Sequence, residues 1–311
     1  MLQHIVLMKK IKLFLKKIHL KWNIDVHKTL VLNAKILLNE NNKLKSINSL
    51  EDVEFKVFSQ NGEDGIIQYI INKLEIPNKI FIEFGVETYI ESNTRFLLIN
   101  NEWSGLILES DTDYVNFIKN DYVFQKYELE IEKVFITKDN INSIFKNYTN
   151  LKDIGLLSID IDGNDYWIWK TITEIQPRIV ICEYNATFGN SKKVTIPYKA
   201  DFNKNTAHYS DLFFGASLNA LCDLADKKGY DFIGTCSSGA NAFFIRKDIN
   251  TSFKPLKSIE GFNKLSAKSS KDKNGNLTYL RPNERLSKIK DEKIFDLESN
   301  NIVSIKELYN L

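Results

Sequence analysis

The stretch that decides the fold is KIFIEFGVETYIESNTRFLLINNEWSGLILESD, residues 79–111. It holds two short apolar runs, 80–84 and 106–108, each typical of a strand buried on both faces of a parallel sheet. Between them, residues 92–98 begin with Ser, Asn and Thr, which cap helices, and continue with apolar side chains. The predicted order is strand, loop, helix and strand, as in nucleotide-binding α/β folds.

Candidate cofactor residues stand at the carboxyl ends of these two strands. Glu83 and Gly85 lie at the end of the first strand, and Glu109 ends the second. A carboxylate in this place can accept both hydroxyl hydrogens of a ribose, and glycine lets a ligand approach the backbone. The spacing favours a nucleoside site, with the alternative that these residues are ordinary surface positions at strand ends.

Six ordered blocks of the chain resemble those of FkbM-like class I S-adenosylmethionine-dependent methyltransferases. The blocks are SQNGEDGII (59–67), FIEFGVE (81–87), SNTRFLL (92–98), WSGLILE (103–109), LLSIDIDGNDYW (156–167) and IVICEYN (179–185). The resemblance covers about residues 55–248. It implies S-adenosylmethionine as the cofactor and methylation of sugars or other small hydroxylated substrates. It also implies that SQNGEDG borders the cofactor pocket, although a well-capped helix would explain that block equally well.

The loop after Gly85 departs from the usual glycine-rich pattern. Val86, Glu87 and Thr88 stand where small residues are commoner. Cofactor binding is therefore expected to depend more on polar side chains, and the candidates are Asn93, Thr94, Glu109 and Asp139. Asp139 follows a predicted third strand at 134–137, where the resemblance places adenine. The altered loop also keeps open a non-enzymatic alternative, a scaffold that has retained the fold and lost turnover.

Later patterns predict the rest of the sheet. Apolar runs at 155–161 and 178–184 are expected to be strands four and five, and 231–236 with 240–246 a hairpin around Ser237-Ser238-Gly239. A dehydrogenase sheet has no need of such a hairpin, whereas an antiparallel last strand distinguishes the methyltransferase fold. We therefore predict an α/β fold: a Rossmann-like methyltransferase sheet of about seven strands, mostly parallel with an antiparallel C-terminal hairpin, and helices on both faces.

Polar side chains crowd the ends of strands four and five. Asp160 and Asp162 follow the fourth strand, and Glu183 and Asn185 end the fifth. Buried carboxylates are costly without cations or hydrogen-bond donors. A Mg²⁺ ion held by Asp160, Glu183 and Asn185 would supply the positive charge. The pair Asp160 and Asp162 also reads as the DxD of a metal-dependent glycosyltransferase, which is the alternative enzyme class.

Methyl transfer to a hydroxyl needs a group that removes the hydroxyl proton. His208 is the only histidine outside residues 1–50, and it lies in 186–215, an aromatic and polar insertion expected to cover the acceptor. An imidazole is suited to accept this proton near neutral pH. The rival proton acceptors are Asp160, Asp162 or a hydroxyl bound to Mg²⁺. The plain alternative is that His208 only bonds a loop carbonyl.

Composition limits the partners. The balance of 42 basic and 40 acidic residues gives a net charge of +2, too small for a protein whose whole surface attracts nucleic acid. The 3 cysteines have no CxxC spacing, as is typical of buried thiols in a reducing compartment, so we predict a cytoplasmic protein. No apolar segment reaches the roughly 18 residues of a membrane span. A small-molecule or glycan acceptor remains the expected partner.

The amino-terminal 1–24 segment contains six lysines and no acidic residue, and its apolar residues recur at helical spacing. This pattern predicts a helix in peripheral contact with an anionic membrane, and the alternative is a helix packed on the domain or on a second subunit of an oligomer. The predicted organisation is a basic helical segment at 1–50, a methyltransferase-like domain at 51–250 and a polar extension at 251–311.

Overall fold

The computed structural model describes residues 25–148, 152–263 and 270–311. Within these ranges no helix is both long enough and apolar enough to cross a membrane. The basic segment 1–24, for which we predict membrane contact, lies outside the described residues.

The chain divides into two compact units, Met1–Lys45 and Ser46–Leu311. Of the first unit, the structure describes helix α1 over residues 25–43. Every predicted site residue belongs to the second unit.

The second unit is built on a seven-stranded sheet. The first eight strands along the chain are β1 (Ile80–Phe84), β2 (Ser104–Glu109), β3 (Leu129–Lys133), β4 (Leu156–Ile159), β5 (Ile179–Glu183), β6 (Val194–Thr195), β7 (Tyr230–Thr235) and β8 (Asn241–Arg246). All except β6 form this sheet, in the order β3-β2-β1-β4-β5-β8-β7. The first five strands of this order pair in parallel, whereas β8 is antiparallel to both β5 and β7. The predicted fold class is confirmed.

Helices cover both faces of this sheet. They are α2 (Glu63–Lys73), α3 (Arg95–Asn101), α4 (Thr112–Asn120), α5 (Tyr122–Lys126), α6 (Ile141–Lys146), α7 (Asp165–Thr171), α8 (Lys204–Ala207) and α9 (Leu218–Lys227). Successive residues of a strand face opposite sides of a sheet. Accordingly, Ile82 packs in one apolar cluster with α6, α7 and α9, and Phe81 packs in another with α2, α3 and α4. The parallel strand pairing and the apolar clusters on both faces of the sheet thus hold the carboxyl ends of the strands at one edge.

Two predicted element boundaries are wrong. The third strand is Leu129–Lys133, not 134–137, because LEIEK is an edge strand that alternates apolar with charged residues and so has no continuous apolar run. The helix expected from Ser59 begins at Glu63. The Ser59 hydroxyl accepts a hydrogen bond from the Asp64 N–H at 3.1 Å, and the Ser59 hydroxyl and N–H both donate to the Asp64 carboxylate. The earlier end of β3 changes which residues lie at the carboxyl edge of the sheet.

A second, smaller sheet joins two distant parts of the chain. The remaining elements are β9 (Ser270–Lys271), β10 (Leu277–Thr278), α10 (Pro282–Lys288), β11 (Lys293–Asp296), β12 (Asn301–Ser304) and α11 (Ile305–Tyr309). Strand β11 pairs with β12 and with β6, which belongs to the insertion. Ile196, Leu212, Ile294 and Ile305 share one buried apolar cluster. We call the insertion 186–215 together with 270–311 the C-terminal lobe, and the extension predicted to be polar therefore takes part in a packed core.

Candidate active site

An open cleft of about 170 Å³ lies at the carboxyl ends of β1, β2, β3 and β4. Its wall includes the predicted site residues Gly85, Glu109, Asp160 and Asp162. Phe202 reaches the same cleft from the C-terminal lobe. Ligand sites in doubly wound folds occupy this edge of the sheet.

Gly85 brings the ends of β1 and β4 together. Its φ is +66°, in the left-handed region that favours glycine. A Cβ at this position would lie 1.8 Å from the carbonyl oxygen of Asp160. One glycine is therefore sufficient to let the two strand ends meet at the cleft, even though larger residues follow it.

Backbone groups hold the Glu109 carboxylate in a fixed orientation. It accepts hydrogen bonds from the N–H groups of Glu87 at 3.0 Å, Ser110 at 2.7 Å and Asp111 at 3.0 Å. Glu109 is buried, 6% exposed, and its side chain lines the cleft. The Ser110 hydroxyl also donates to Oε1, at 3.4 Å, whereas Oε2 accepts, among the described residues, only from Glu87 and so has a lone pair left for one ribose hydroxyl.

Glu83, Asn93 and Thr94, which we predict at the cofactor, form one buried hydrogen-bonded cluster. The Glu83 carboxylate accepts hydrogen bonds from the N–H groups of Asn93 at 2.9 Å and Thr94 at 3.2 Å and from the Thr94 hydroxyl. The Asn93 amide donates to the Ser158 hydroxyl at 3.1 Å. All four residues are buried and none lines the cleft. Burial raises the pKa of Glu83 to about 7, against these hydrogen bonds, which lower it. The cluster ties α3 to β1 and β4.

Asp139 is also displaced from the predicted cofactor side. It is exposed and does not line the cleft, whereas residues 134–136 do. This follows from the position of β3, which ends at Lys133, so that the next residues turn over the cleft. Phe135, 53% exposed, presents an aromatic ring at the cleft. The charge alternation of LEIEK is the signal that would have identified the strand and hence this ring.

The turn after β4 is held by Asp165. Its carboxylate accepts hydrogen bonds from the N–H groups of Ile161 and Gly163, both at 2.9 Å, and burial raises its pKa to about 7. A Cβ on Gly163 would lie 2.3 Å from the Phe202 ring, so the glycine allows the C-terminal lobe to pack on this turn. Asp162 has φ +54° within the turn. Its conformation directs an acid to the cleft.

Carboxylates meet at the ends of β4 and β5. Oxygen atoms of Asp160, Asp162 and Glu183 lie within 4.8 Å of one another. Loss of solvent, followed by the negative charges of Glu183 and Asp162, raises the pKa of Asp160 well above its ordinary range. We call these three residues the acidic cluster.

Asn185 does not complete a metal site with this cluster. Its side-chain oxygen accepts a hydrogen bond from the Thr187 N–H at 3.0 Å. Its amide nitrogen donates to the carbonyls of Leu212 at 2.9 Å and Phe214 at 3.0 Å. In the predicted Mg²⁺ set of Asp160, Glu183 and Asn185, the Asn185 amide therefore binds the C-terminal lobe, whereas Asp162 lies with the other two acids.

A lysine missed by the sequence analysis stands at the acidic cluster. The Lys204 ammonium, from α8, forms an ion pair with Asp162 and lies 3.9 Å from the centre of the Phe214 ring. The side chain is only 14% exposed. Burial lowers the pKa of Lys204, but the charges of Glu183 and Asp162 more than offset this and raise it above its ordinary value. The cluster is thus partly neutralised from within the chain.

His208 lies in the C-terminal lobe and not among the residues that line the cleft. Its Nδ1 accepts a hydrogen bond from the Ser210 N–H at 3.2 Å and lies 2.7 Å from the Ser210 hydroxyl. Its ring packs on Tyr209, with 4.2 Å between ring centres. Burial, with the charge of Lys288, lowers the pKa of His208. The sequence leaves open that His208 only bonds a loop carbonyl. In the structure it bonds a loop N–H and a loop hydroxyl, both of Ser210.

The sheet order, its antiparallel end and the cleft at the strand ends define a class I S-adenosylmethionine-dependent methyltransferase. The sequence matches the methyltransferase FkbM domain family over residues 49–230, which is more than half of the chain. The chain therefore belongs to this family, and its cofactor is S-adenosylmethionine. No protein of curated function matches the chain.

Several solved methyltransferase structures share similarity with this fold. An S-adenosylmethionine-dependent methyltransferase from Clostridium acetobutylicum has 10% identity and a TM-score of 0.35, over 57% of this chain and 86% of that one. The N-terminal domain of EvdMO1, solved with S-adenosylhomocysteine and D-fucose, has 10% identity and a TM-score of 0.39, over 68% and 94%. Precorrin-6y C5,15-methyltransferase from Geobacter metallireducens has 12% identity and a TM-score of 0.32, over 62% and 90%.

Proposed function

We propose that this protein transfers the methyl group of S-adenosylmethionine to a hydroxyl of a sugar or surface-glycan precursor in the cytoplasm. The observation that carries the proposal is that Glu109 and the acids Asp160 and Asp162 line one cleft. The first carboxylate suits a ribose, and the other two suit a hydroxylated acceptor, because carboxylates accept hydrogen bonds from hydroxyl groups. The family assignment favours methyl transfer over the glycosyltransferase alternative.

The cofactor side of the cleft runs from Gly85 to Phe135. In this proposal Glu109 accepts a hydrogen bond from one ribose hydroxyl, and the backbone at Gly85 lies close to the cofactor because no side chain intervenes. The exposed ring of Phe135 offers a flat apolar surface for adenine. Tyr114, which also lines the cleft, adds a second ring on this side.

The acceptor side is formed by the turn after β4 and by the C-terminal lobe. Asp160 and Asp162 bind the acceptor hydroxyls, and Phe202 supplies an apolar surface for the C–H groups of a sugar ring. Transfer forms a bond between the acceptor oxygen and the methyl carbon and breaks the bond between that carbon and sulfur. S-adenosylhomocysteine leaves, and the hydroxyl proton passes to a base.

Asp160 is the base that the geometry supports best, because it lines the cleft beside the loop that carries Gly85. His208 is the second candidate, and it reaches the acceptor only if the C-terminal lobe moves. Mg²⁺ chemistry is the third. Turnover of Asp160→Asn and of His208→Ala, each with and without EDTA, distinguishes them. Loss in Asp160→Asn together with indifference to EDTA supports Asp160, whereas loss only in His208→Ala or only with EDTA contradicts it.

Thermal unfolding with candidate ligands tests the function itself. A ligand at about 100 times its dissociation constant stabilises a folded protein by about 2.7 kcal/mol. We expect S-adenosylhomocysteine to raise the melting temperature and nucleotide sugars with Mn²⁺ to leave it unchanged. Stabilisation by nucleotide sugars alone would support the glycosyltransferase instead, and binding of cofactor without turnover on any glycan would support a scaffold.

A further inference from the structure

The acidic cluster contains a cation that belongs to the chain itself. Asp160, Asp162 and Glu183 are spaced as ligands of one divalent ion would be, with oxygen atoms within 4.8 Å of one another. Carboxylates are also the ligand type that Mg²⁺ and Mn²⁺ prefer. However, the Lys204 ammonium is paired with Asp162, and its charge also acts on Asp160 and Glu183. A divalent ion bound here would meet a positive charge at close range.

The environment of Lys204 keeps the ammonium in this place. Its side chain is largely withdrawn from solvent, and the face of the Phe214 ring, 3.9 Å away, attracts a cation. The adjacent Asn203 caps helix α8, where its side-chain oxygen accepts a hydrogen bond from the Asn205 N–H at 3.0 Å. A divalent ion does not fit the acidic cluster, because Asp162 is already paired with Lys204. The Asn185 amide, which would be a further ligand, bonds Leu212 and Thr187 instead.

We propose that Lys204 takes the place of a divalent metal ion at the acceptor side, so that the acidic cluster works without metal. The ammonium compensates the charge of Asp162 and Glu183 and leaves Asp160 directed at the cleft. Lys204 is a positioning residue: it acts on the acceptor through the carboxylates, and it does not accept the proton. The role given to Asp160 rests on the proposed function, whereas the claim that Lys204 excludes metal does not.

The same contact couples the acceptor wall to the sheet. Lys204 and Phe202 belong to one segment of the C-terminal lobe, and Phe202 packs on the turn that carries Asp162. The ion pair of Lys204 with Asp162 therefore fixes this segment at the cleft. Without the ammonium, the cluster would combine three carboxylates at short range, which is a situation that a divalent ion relieves.

Mn²⁺ binding to the full-length protein, followed by electron paramagnetic resonance, tests this inference without any methyl acceptor. We expect no Mn²⁺ binding to the wild-type cluster and turnover that is indifferent to EDTA. Lys204→Met, with a similar length and no charge, is expected to gain one Mn²⁺ site at least tenfold tighter than any site of the wild type. Adding Asp160→Asn to that variant should remove the new site, and Lys204→Arg should behave as the wild type does.

Lys199→Met is the control. Lys199 belongs to the same lobe and is 67% exposed, and its ammonium lies 3.4 Å from Asp201, which is not part of the acidic cluster. Binding of S-adenosylhomocysteine is measured by calorimetry in every variant. A failure of the proposed function, seen as no cofactor binding, is thus distinguished from a failure of the inference about Lys204, seen in Mn²⁺ binding. If Lys204→Met does not fold, Lys204→Gln replaces it. A wild-type Mn²⁺ site that Asp160→Asn abolishes would overturn the inference, and so would a folded Lys204 variant that binds no Mn²⁺.

Discussion

The α-carbon of Gly85 faces the carbonyl oxygen of Asp160 so closely that a Cβ would lie 1.8 Å from it. Residue 85 precedes the loop on the proposed cofactor side of the cleft, and residue 160 begins the acidic cluster. The contact therefore joins the cofactor side of the cleft to its acceptor side. Alignment of the methyl donor with the acceptor depends on such distances, because misplacement by an ångström can cost a large part of the rate.

Gly85→Ala is expected to damage both stability and cofactor binding. A left-handed backbone costs a non-glycine residue roughly 1–2 kcal/mol, and the clash with a backbone atom adds to this cost. Gly229→Ala is the control, since Gly229, which follows helix α9, has φ +82° but no atom within 4 Å of an added Cβ. Urea unfolding and calorimetry with S-adenosylhomocysteine are the measurements. Equal losses in the two variants would show that the approach to Asp160 does not matter.

Glu109→Ala is expected to weaken S-adenosylhomocysteine binding about tenfold to a hundredfold. This factor follows from the loss of a charge-assisted hydrogen bond to a ribose, which contributes about 1.5–3 kcal/mol. Glu130→Ala, an exposed acid on the neighbouring strand β3, is the control. Unchanged affinity in a folded Glu109 variant would remove this residue from the cofactor site.

The parts of the fold that the sequence predicts best are strands buried on both faces. The runs at 80–82 and 179–182 are continuous and apolar, so each strand can be recognised locally. Strand β3 is an edge strand with alternating charges, and its prediction fails. The C-terminal lobe could not be predicted, because β6 and β11 are short and come from distant parts of the chain.

The same distinction applies to the site. Glu109 and Asp160 reach the cleft because each lies at the carboxyl end of a parallel strand, a position that a sequence pattern reveals. Glu83 lies at such an end too, but its carboxylate binds the start of α3. A sequence does not specify in which direction that side chain turns. Lys204 comes from a long insertion, so only the tertiary structure brings it to Asp162.

Removing residues 1–24 is expected to abolish binding to vesicles that contain anionic lipid. This segment carries six lysines and no acid, and each lysine near such a surface contributes about 1 kcal/mol of attraction. The affinity for S-adenosylhomocysteine should not change. Co-sedimentation with anionic and with neutral vesicles, at low and at high salt, checks the prediction. If the full-length protein does not bind anionic vesicles, the segment instead packs on the domain or on a second subunit.

The buried Glu83 carboxyl is expected to make stability depend on pH between its unfolded and folded pKa values. Burial raises the pKa of Glu83 from 4.5 to about 7. Between these values the folded protein keeps a proton that the unfolded chain has released. The contribution of Glu83 is therefore complete below pH 4.5 and is lost as the pH rises through 7. At about 1.4 kcal/mol for each pH unit, the loss amounts to about 3 kcal/mol.

Glu83→Gln should flatten this dependence, because glutamine does not titrate. Its amide cannot accept the Thr94 N–H in the same way, so the variant is expected to be less stable at every pH, and the slope is the informative quantity. Asp64, whose pKa burial raises to about 6, and Asp165 remain in the variant and keep part of the slope. Urea unfolding at several pH values from 5 to 7 measures the slope of stability against pH, and Glu130→Gln is the exposed control. An unchanged slope in Glu83→Gln would mean that the Glu83 carboxyl is ionised in the folded protein throughout this range, held so by the N–H groups of Asn93 and Thr94.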